Sequence, residues 1–287
     1  MVILATSGII SRACDHCGSD GGNGILPTDS RSFISLGYRR SLFSGIDEDA
    51  SFREVFQRYE LNVKRVWKNK WEVAMTLPYA GFTSSHGGFL RDDFSGLGDI
   101  SLVARKIFTN KVQMRAAQRL AIGGGFELPT GVHEFVGHDA VINPFQQPGS
   151  GSFDVMGQVQ YSFKFNNWGV LSSFSGKYND RNDIGQRLPF QYTMQAEVFR
   201  SFTQGTLARV VARGGVVYDK FSTEYYVGPE IYRPLAGQGF AAGQATLEVY
   251  TGKVWLSAQA GRRLNTAPSD LPQSVNMRFA LNMGFLF

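Results

Sequence analysis

Cys14 and Cys17 are separated by two residues, one of them His16, and no other cysteine occurs in the chain. Two sulfurs and an imidazole at that spacing offer two chemistries. In an oxidising compartment the thiols close a small disulfide. Alternatively, Cys14, His16 and Cys17 supply three close ligands to a metal ion, with no fourth evident. A haem-attachment motif would carry His directly after the second cysteine, where Gly18 stands. The other histidines, His86, His133 and His138, fall in long connections between the strands read below. No strand therefore presents Ser and His on one face, as a membrane-embedded hydrolase requires. No phosphate loop, dinucleotide fingerprint or metalloprotease helix occurs. The chain reads as a non-enzyme that needs no cofactor.

The elements that must carry any chemistry are strands. At the end of the chain Val275, Met277, Phe279, Leu281, Met283, Phe285 and Phe287 alternate with Asn276, Arg278, Ala280, Asn282 and Gly284. Only Leu286 interrupts the polar-or-small set. Successive side chains of a strand point to opposite faces, so this segment has one apolar and one wet side. An amphipathic strand that ends on an aromatic looks like the last strand of a bacterial outer-membrane barrel. The same alternation recurs along the chain, for example Trp71, Val73, Met75 and Leu77 against Glu72, Ala74 and Thr76.

Alternation predicts about twelve strands, near 32–42, 57–66, 71–79, 98–108, 118–128, 153–165, 168–178, 188–200, 206–218, 239–250, 253–265 and 275–287. A further hairpin within 221–233 would raise the count to fourteen. Between these segments, short connections alternate with long ones at 43–56, 80–97, 129–152, 179–187, 219–238 and 266–274. Outer-membrane barrels have short periplasmic turns and longer extracellular loops, and an even strand count leaves both ends on the periplasmic side. Trp67, Trp71, Phe108, Phe165, Trp168, Phe202, Tyr250 and Trp255 cluster at the short turns and read as the periplasmic aromatic girdle. The reading is an all-β transmembrane antiparallel barrel over residues 32–287, preceded by a periplasmic segment over 1–31.

Composition agrees. Charged residues make up 18% and hydrophobic residues 43%, with 33 glycines and 23 phenylalanines. No apolar run of about 18 residues exists, so no transmembrane helix is predicted. The net charge of +5 is spread without a basic block, which leaves nucleic acid without a footprint. Met1 to Ala13 carries an apolar run but no positive start, and resembles a truncated signal peptide. Arg12 stands where a lipid-attachment site before Cys14 would carry a small residue.

Parity assigns the side chains of the wet face to the lumen: Glu60, Asn62, Lys64, Glu72, Asp99, Arg105, Asp154, Gln158, Gln160, Lys164, Gln195, Glu197, Arg209, Arg213, Gln244, Glu248, Asn276, Arg278 and Asn282. Charges inside a barrel are costly unless paired or wetted. They imply either a ladder of acid–base pairs that fills the lumen or a polar conduit. Eight strands enclose a filled interior and sixteen an aqueous channel, so twelve does not set the width.

Four motifs also occur in a telling order: Gly96-Leu97-Gly98-Asp99-Ile100, Gly123-Gly124-Gly125-Phe126-Glu127-Leu128-Pro129-Thr130-Gly131, Gly149-Ser150-Gly151-Ser152-Phe153-Asp154 and Asn167-Trp168-Gly169-Val170. Together they resemble the transporter-like outer-membrane family named for the MetA pathway of phenol degradation. The matching core runs from about 95 to 180, and the rest matches in layout. Cys14-Asp15-His16-Cys17-Gly18 followed by Gly24-Ile25-Leu26-Pro27 resembles a branch of that family with an early cysteine motif. The resemblance implies a passive channel of a Gram-negative outer membrane for small hydrophobic or aromatic solutes. The alternative is a barrel that transports nothing and binds a partner. The implied surroundings are membrane lipid, lipopolysaccharide and the barrel-assembly machinery, which would read the terminal Phe287.

Overall fold

The computed structural model describes residues 31–47, 50–113, 115–133, 147–183, 185, 187–204, 208–221, 225–227, 230–232, 239–264 and 275–287. Fifteen strands form in chain order: β1 (Phe33–Asp47), β2 (Ala50–Trp67), β3 (Trp71–His86), β4 (Phe89–Leu97), β5 (Ile100–Val112), β6 (Ala116–Leu128), β7 (Asp154–Phe165), β8 (Trp168–Tyr178), β9 (Gln191–Gln204), β10 (Ala208–Phe221), β11 (Tyr225–Val227), β12 (Glu230–Tyr232), β13 (Gly239–Thr251), β14 (Val254–Arg263) and β15 (Val275–Leu286). Each barrel strand pairs antiparallel with its neighbours, and β1 pairs with both β2 and β15, which closes the sheet. β3 pairs with β4 through Tyr79–His86 and with β5 through Trp71–Thr76. Hence β4 and β5 are one broken stave, and the barrel has twelve.

Alternation produces this closure because it gives every strand an apolar face for lipid and a polar or small face for the inside. Closure also pairs every edge, which a bilayer demands. The hairpin anticipated within 221–233 exists as β11–β12, but it forms its own two-stranded sheet and adds nothing to the barrel. Fourteen staves are thereby excluded. Two segments read as loops are largely strand. β1 and β2 pair as far as Asp47↔Ala50, and β3 and β4 as far as His86↔Phe89 across Gly87-Gly88. There the inner face turns aromatic while Thr83, Ser85 and Asp93 take the outer one, the reverse of the pattern lower down, which masked the strands. His86 consequently ends a strand, contrary to the expectation that no strand holds a histidine. Cys14, His16, Cys17 and His138 lie outside the described residues.

The short turns are tight. Asn166 (φ 51°) and Gly252 (φ 58°) open two-residue turns between paired strand ends, and Lys68 and Asn69 adopt φ of 49° and 53°. Positive φ at the first turn position matches the right-handed twist of the strands it joins. Around these turns Trp67, Trp71, Phe108, Phe165, Trp168 and Phe202 are exposed on the outer wall. Cations cap several outer rings, Lys106 over Phe108 at 5.3 Å and Arg200 over both Trp168 and Phe202 at 4.9 Å. Two members expected in this belt are elsewhere. Tyr250 and Trp255 are 4% and 1% exposed and point inward. Their parity matches that of Glu248 and Ser257, so strand geometry overrides their position near a turn.

Candidate functional site: the inner face of the barrel

Starting from the periplasmic end, the inner face opens with an apolar cluster. Phe33, Phe199, Val211, Tyr250, Trp255 and Leu286 pack together, and all are buried. Phe33 meets Trp255 edge-on with centroids 6.1 Å apart. Leu286, the one residue that broke the alternation of the last strand, belongs to this cluster. Gly284 is small for the same reason: a Cβ there would lie 2.2 Å from Nε1 of Trp255.

Beside the cluster are ionic networks on different staves, Lys64 lying over the Phe33 ring at 4.9 Å. On β2, β3, β5 and β6, one carboxylate faces three cations. Glu72 lies 2.8 Å from Arg119, 3.4 Å from Lys64 and 3.7 Å from Arg105, and all four side chains are buried. Nearby, Arg58 holds Glu60 at 2.7 Å, and Arg39 approaches it at 3.9 Å. Thr76 Oγ1 donates to Asn62 Oδ1 at 2.8 Å. On β9, β10 and β13, Arg213 bridges Glu197 at 3.0 Å and Glu248 at 2.7 Å. Tyr250 donates its hydroxyl to Glu248, Gln244 donates to Glu197, and Gln259 donates to Gln244. Thr193 donates to Asp219 at 2.5 Å.

The remaining predicted residues fall as follows. Asp154 pairs with Lys177 at 2.9 Å, and Lys177 also bridges Glu127. Gln158 and Gln160 are buried on the inward parity of β7, and Lys164 is half-buried on the same parity. Arg209 lies over the Tyr250 ring at 4.3 Å. Asn282 donates to Ser257 at 3.0 Å. Gln195 and Arg278 line a cavity of about 90 Å³ with Arg39, Thr193, Asp219 and Gln259. Asn276 stands opposite Phe43 in the register of β15 with β1. Asp99 differs from the others. It sits at the break between β4 and β5, where Oδ1 accepts from Gly131 N at 2.8 Å and Oδ2 from the backbone and hydroxyl of Ser150 at 2.6 and 2.7 Å. Its work is to clasp the loop segments that follow β6 and precede β7.

At the extracellular end the inner face turns aromatic. Phe43, Phe56 and Phe82 are buried, with Phe94 packed against them. Centroid separations are 5.8 Å for Phe43–Phe56, 4.7 Å for Phe56–Phe82 and 5.3 Å for Phe82–Phe94. These rings form one ladder across β1, β2, β3 and β4, within the range of favourable aromatic pairs. Sequence reasoning missed it because Phe43, Phe56, Phe82 and Phe94 all lay in segments read as loops. It also missed Arg39, Arg58, Arg119, Glu127 and Lys177. Parity extended along each strand was the signal that would have found them.

No protein-family model matches the chain, and no curated protein matches it in sequence. Solved structures do match in shape. The COG4313 outer membrane channel from Pseudomonas putida F1 superposes with a TM-score of 0.63 at 17% identity, over 93% of this chain and 98% of that one. The chain folds as an outer-membrane β-barrel. The transport unit of the autotransporter AIDA-I from Escherichia coli follows at a TM-score of 0.54 and 8% identity, over 94% and 95%. The β-domain of the Bordetella autotransporter BrkA gives 0.52 at 12% identity, over 89% and 100%. A twelve-stave closed barrel with an apolar outer wall belongs in the outer membrane of a Gram-negative bacterium.

Proposed function

We propose that this barrel is a passive channel for small apolar and aromatic molecules. The observation that carries the reading is the ladder of Phe43, Phe56, Phe82 and Phe94 on the inner face at the extracellular end. The rings are buried against one another, and an apolar solute that parts them meets aromatic contacts that water and ions do not reward. A similar barrel, at 17% identity, is an outer membrane channel, and the glycine motifs resemble a phenol-degradation family, which supports both role and substrate class. Cofactor and energy input have no part in the reading, since diffusion down a gradient suffices. The terminal Phe287 lies on the outer wall beside Arg65, where we assign it to recognition by the barrel-assembly machinery.

The test is flux of phenol and toluene into liposomes holding the refolded protein, with equilibrium binding measured on the same sample. Phe56→Ala and Phe82→Ala weaken aromatic binding about tenfold, the scale of one or two lost ring pairs at roughly 0.5–1.5 kcal/mol each. Flux equal to that of empty liposomes, from a sample whose heat-modifiable gel mobility shows folded barrel, overturns the reading.

One observation favours a second reading, a barrel that transports nothing and serves as a structural or partner-binding element. The cluster around Trp255 is buried at the periplasmic end, and Glu72 and Glu248 are buried among their cations beside it. Single-channel recording separates the two: steps require a conducting lumen, and silence together with absent flux selects the second.

A further inference from the structure

The outer wall holds a feature that solute passage does not use. Four rows of outward side chains cross β1, β15, β14 and β13 in register. The lowest is Leu36, Met283, Leu256 and Val249, and the next is Tyr38, Leu281, Ala258 and Leu247. Above them comes Arg40, Phe279, Ala260 and Ala245, then Leu42, Met277, Arg262 and Gly243. Ala258, Ala260 and Ala245 are small where their neighbours are large. The wall is therefore grooved, and an almost wholly apolar furrow of about 490 Å³ lies along the two lower rows. Tyr59 and Leu281 rim it.

Two cations stand over the furrow. Arg40 is directly above Tyr38 on β1, and Arg262 lies two strands across and one row higher. Strand spacing of roughly 4.8 Å and a two-residue step of roughly 6.7 Å place their Cα atoms about 12 Å apart, within reach of one anionic group. Arg40 is three rows above Ile34, roughly 15 Å along the membrane normal in an apolar band roughly 25 Å tall. That height is in the outer leaflet, below its surface. Near the periplasmic turns the outward cations Arg65, Lys106 and Arg200 each lie over an aromatic ring. Arg40 has no such ring, and its Nε is buried without a hydrogen-bond partner among the described residues. A guanidinium on the lipid-facing wall demands a counter-charge, and among the described residues the rows around Arg40 and Arg262 hold no acid, which leaves the position to a lipid phosphate.

We infer that β1, β13, β14 and β15 form a binding site for a phosphorylated, multiply acylated lipid of the outer leaflet, chemically of the lipid A class. An acyl chain fills the furrow over Ala258, and a glucosamine phosphate meets Arg40 and Arg262. A zwitterionic phospholipid offers chains but a poorer counter-charge, and a free phosphate offers charge but no chain.

The experiment is native mass spectrometry of the detergent-purified, folded full chain titrated with bisphosphorylated lipid A, monophosphoryl lipid A, phosphatidylethanolamine and inorganic phosphate. We expect one tightly held bisphosphorylated lipid A per chain, at least tenfold preferred over phosphatidylethanolamine and undisturbed by millimolar inorganic phosphate. The double variant Arg40→Gln/Arg262→Gln loses that preference, Arg40→Lys restores part of it, and Lys106→Gln, outward on β5 across the barrel, changes nothing. Ala258→Phe fills the furrow and weakens lipid A binding with both arginines intact. Equal retention of phosphatidylethanolamine, an unaffected double variant, or displacement by inorganic phosphate each overturns the proposal.

Discussion

Replacing Glu72 by Gln removes the one carboxylate shared by Arg119, Lys64 and Arg105. At an effective dielectric constant of about 20, contacts of 2.8, 3.4 and 3.7 Å correspond to attractions of about 6, 5 and 4.5 kcal/mol. Most of that sum offsets the burial of four charges and the repulsion among three cations. What the variant exposes is the remainder, because three buried cations keep their desolvation cost and lose a counter-charge. Removing one partner of a buried pair costs about 3–5 kcal/mol. Lys64, Arg105 and Arg119 have further interactions, so the lower end applies, about 3 kcal/mol. The assay is urea unfolding of the barrel in lipid vesicles, followed by tryptophan fluorescence. With a slope of about 3 kcal/mol per molar urea, the midpoint falls by about 1 M. Glu72→Met should be at least as harmful, since it too takes this counter-charge from the three cations. A midpoint that does not move for either variant would show that the carboxylate is not what holds these cations, and the reasoning fails.

The other predictions concern close packing and the loop clasp. Gly284→Val drives a Cβ into the Trp255 indole, so the folded fraction on a heat-modifiable gel drops. Adding Trp255→Ala to Gly284→Val recovers part of it, which a double-mutant cycle reads as a favourable coupling of about 1–3 kcal/mol. Asp99→Ala removes three acceptor bonds to Gly131 and Ser150. Bonds to a charged acceptor are worth roughly 1.5–3 kcal/mol each, so proteolysis within 129–152 accelerates by at least about tenfold while the barrel stays intact.

Much of this architecture is legible as a period of two. The outward sets on β3, β7 and β15 are exposed as their alternation requires, and the strands fall in the places the pattern indicates. Legibility fails where the inner face is itself apolar. Trp255 and Tyr250 look like girdle residues because proximity to a turn carries no information about side, whereas parity does. Phe43, Phe56, Phe82 and Phe94 face inward near the extracellular end, where residues such as Thr83 and Asp93 make the outer face polar, so the exchanged pattern read as loop. Leu286 looked like a fault in the pattern and is part of the cluster that Gly284 makes room for. Which acid meets which base was legible only as a list, since partnership depends on register between strands far apart in sequence.

The seam between β1 and β15 has a consequence for how the molecule comes to exist. Phe33 pairs with Leu286, and Ser32 and Phe287 exchange both backbone hydrogen bonds. Closing a circuit of that length costs about 5 kcal/mol in chain entropy, and little is recovered before the last stave is in place. Until then the sheet carries two raw edges, each a template for the wrong neighbour. Completion is therefore a single late event: the chain is an open, sticky ribbon for nearly all of its assembly and a sealed cylinder only at the final hydrogen bonds.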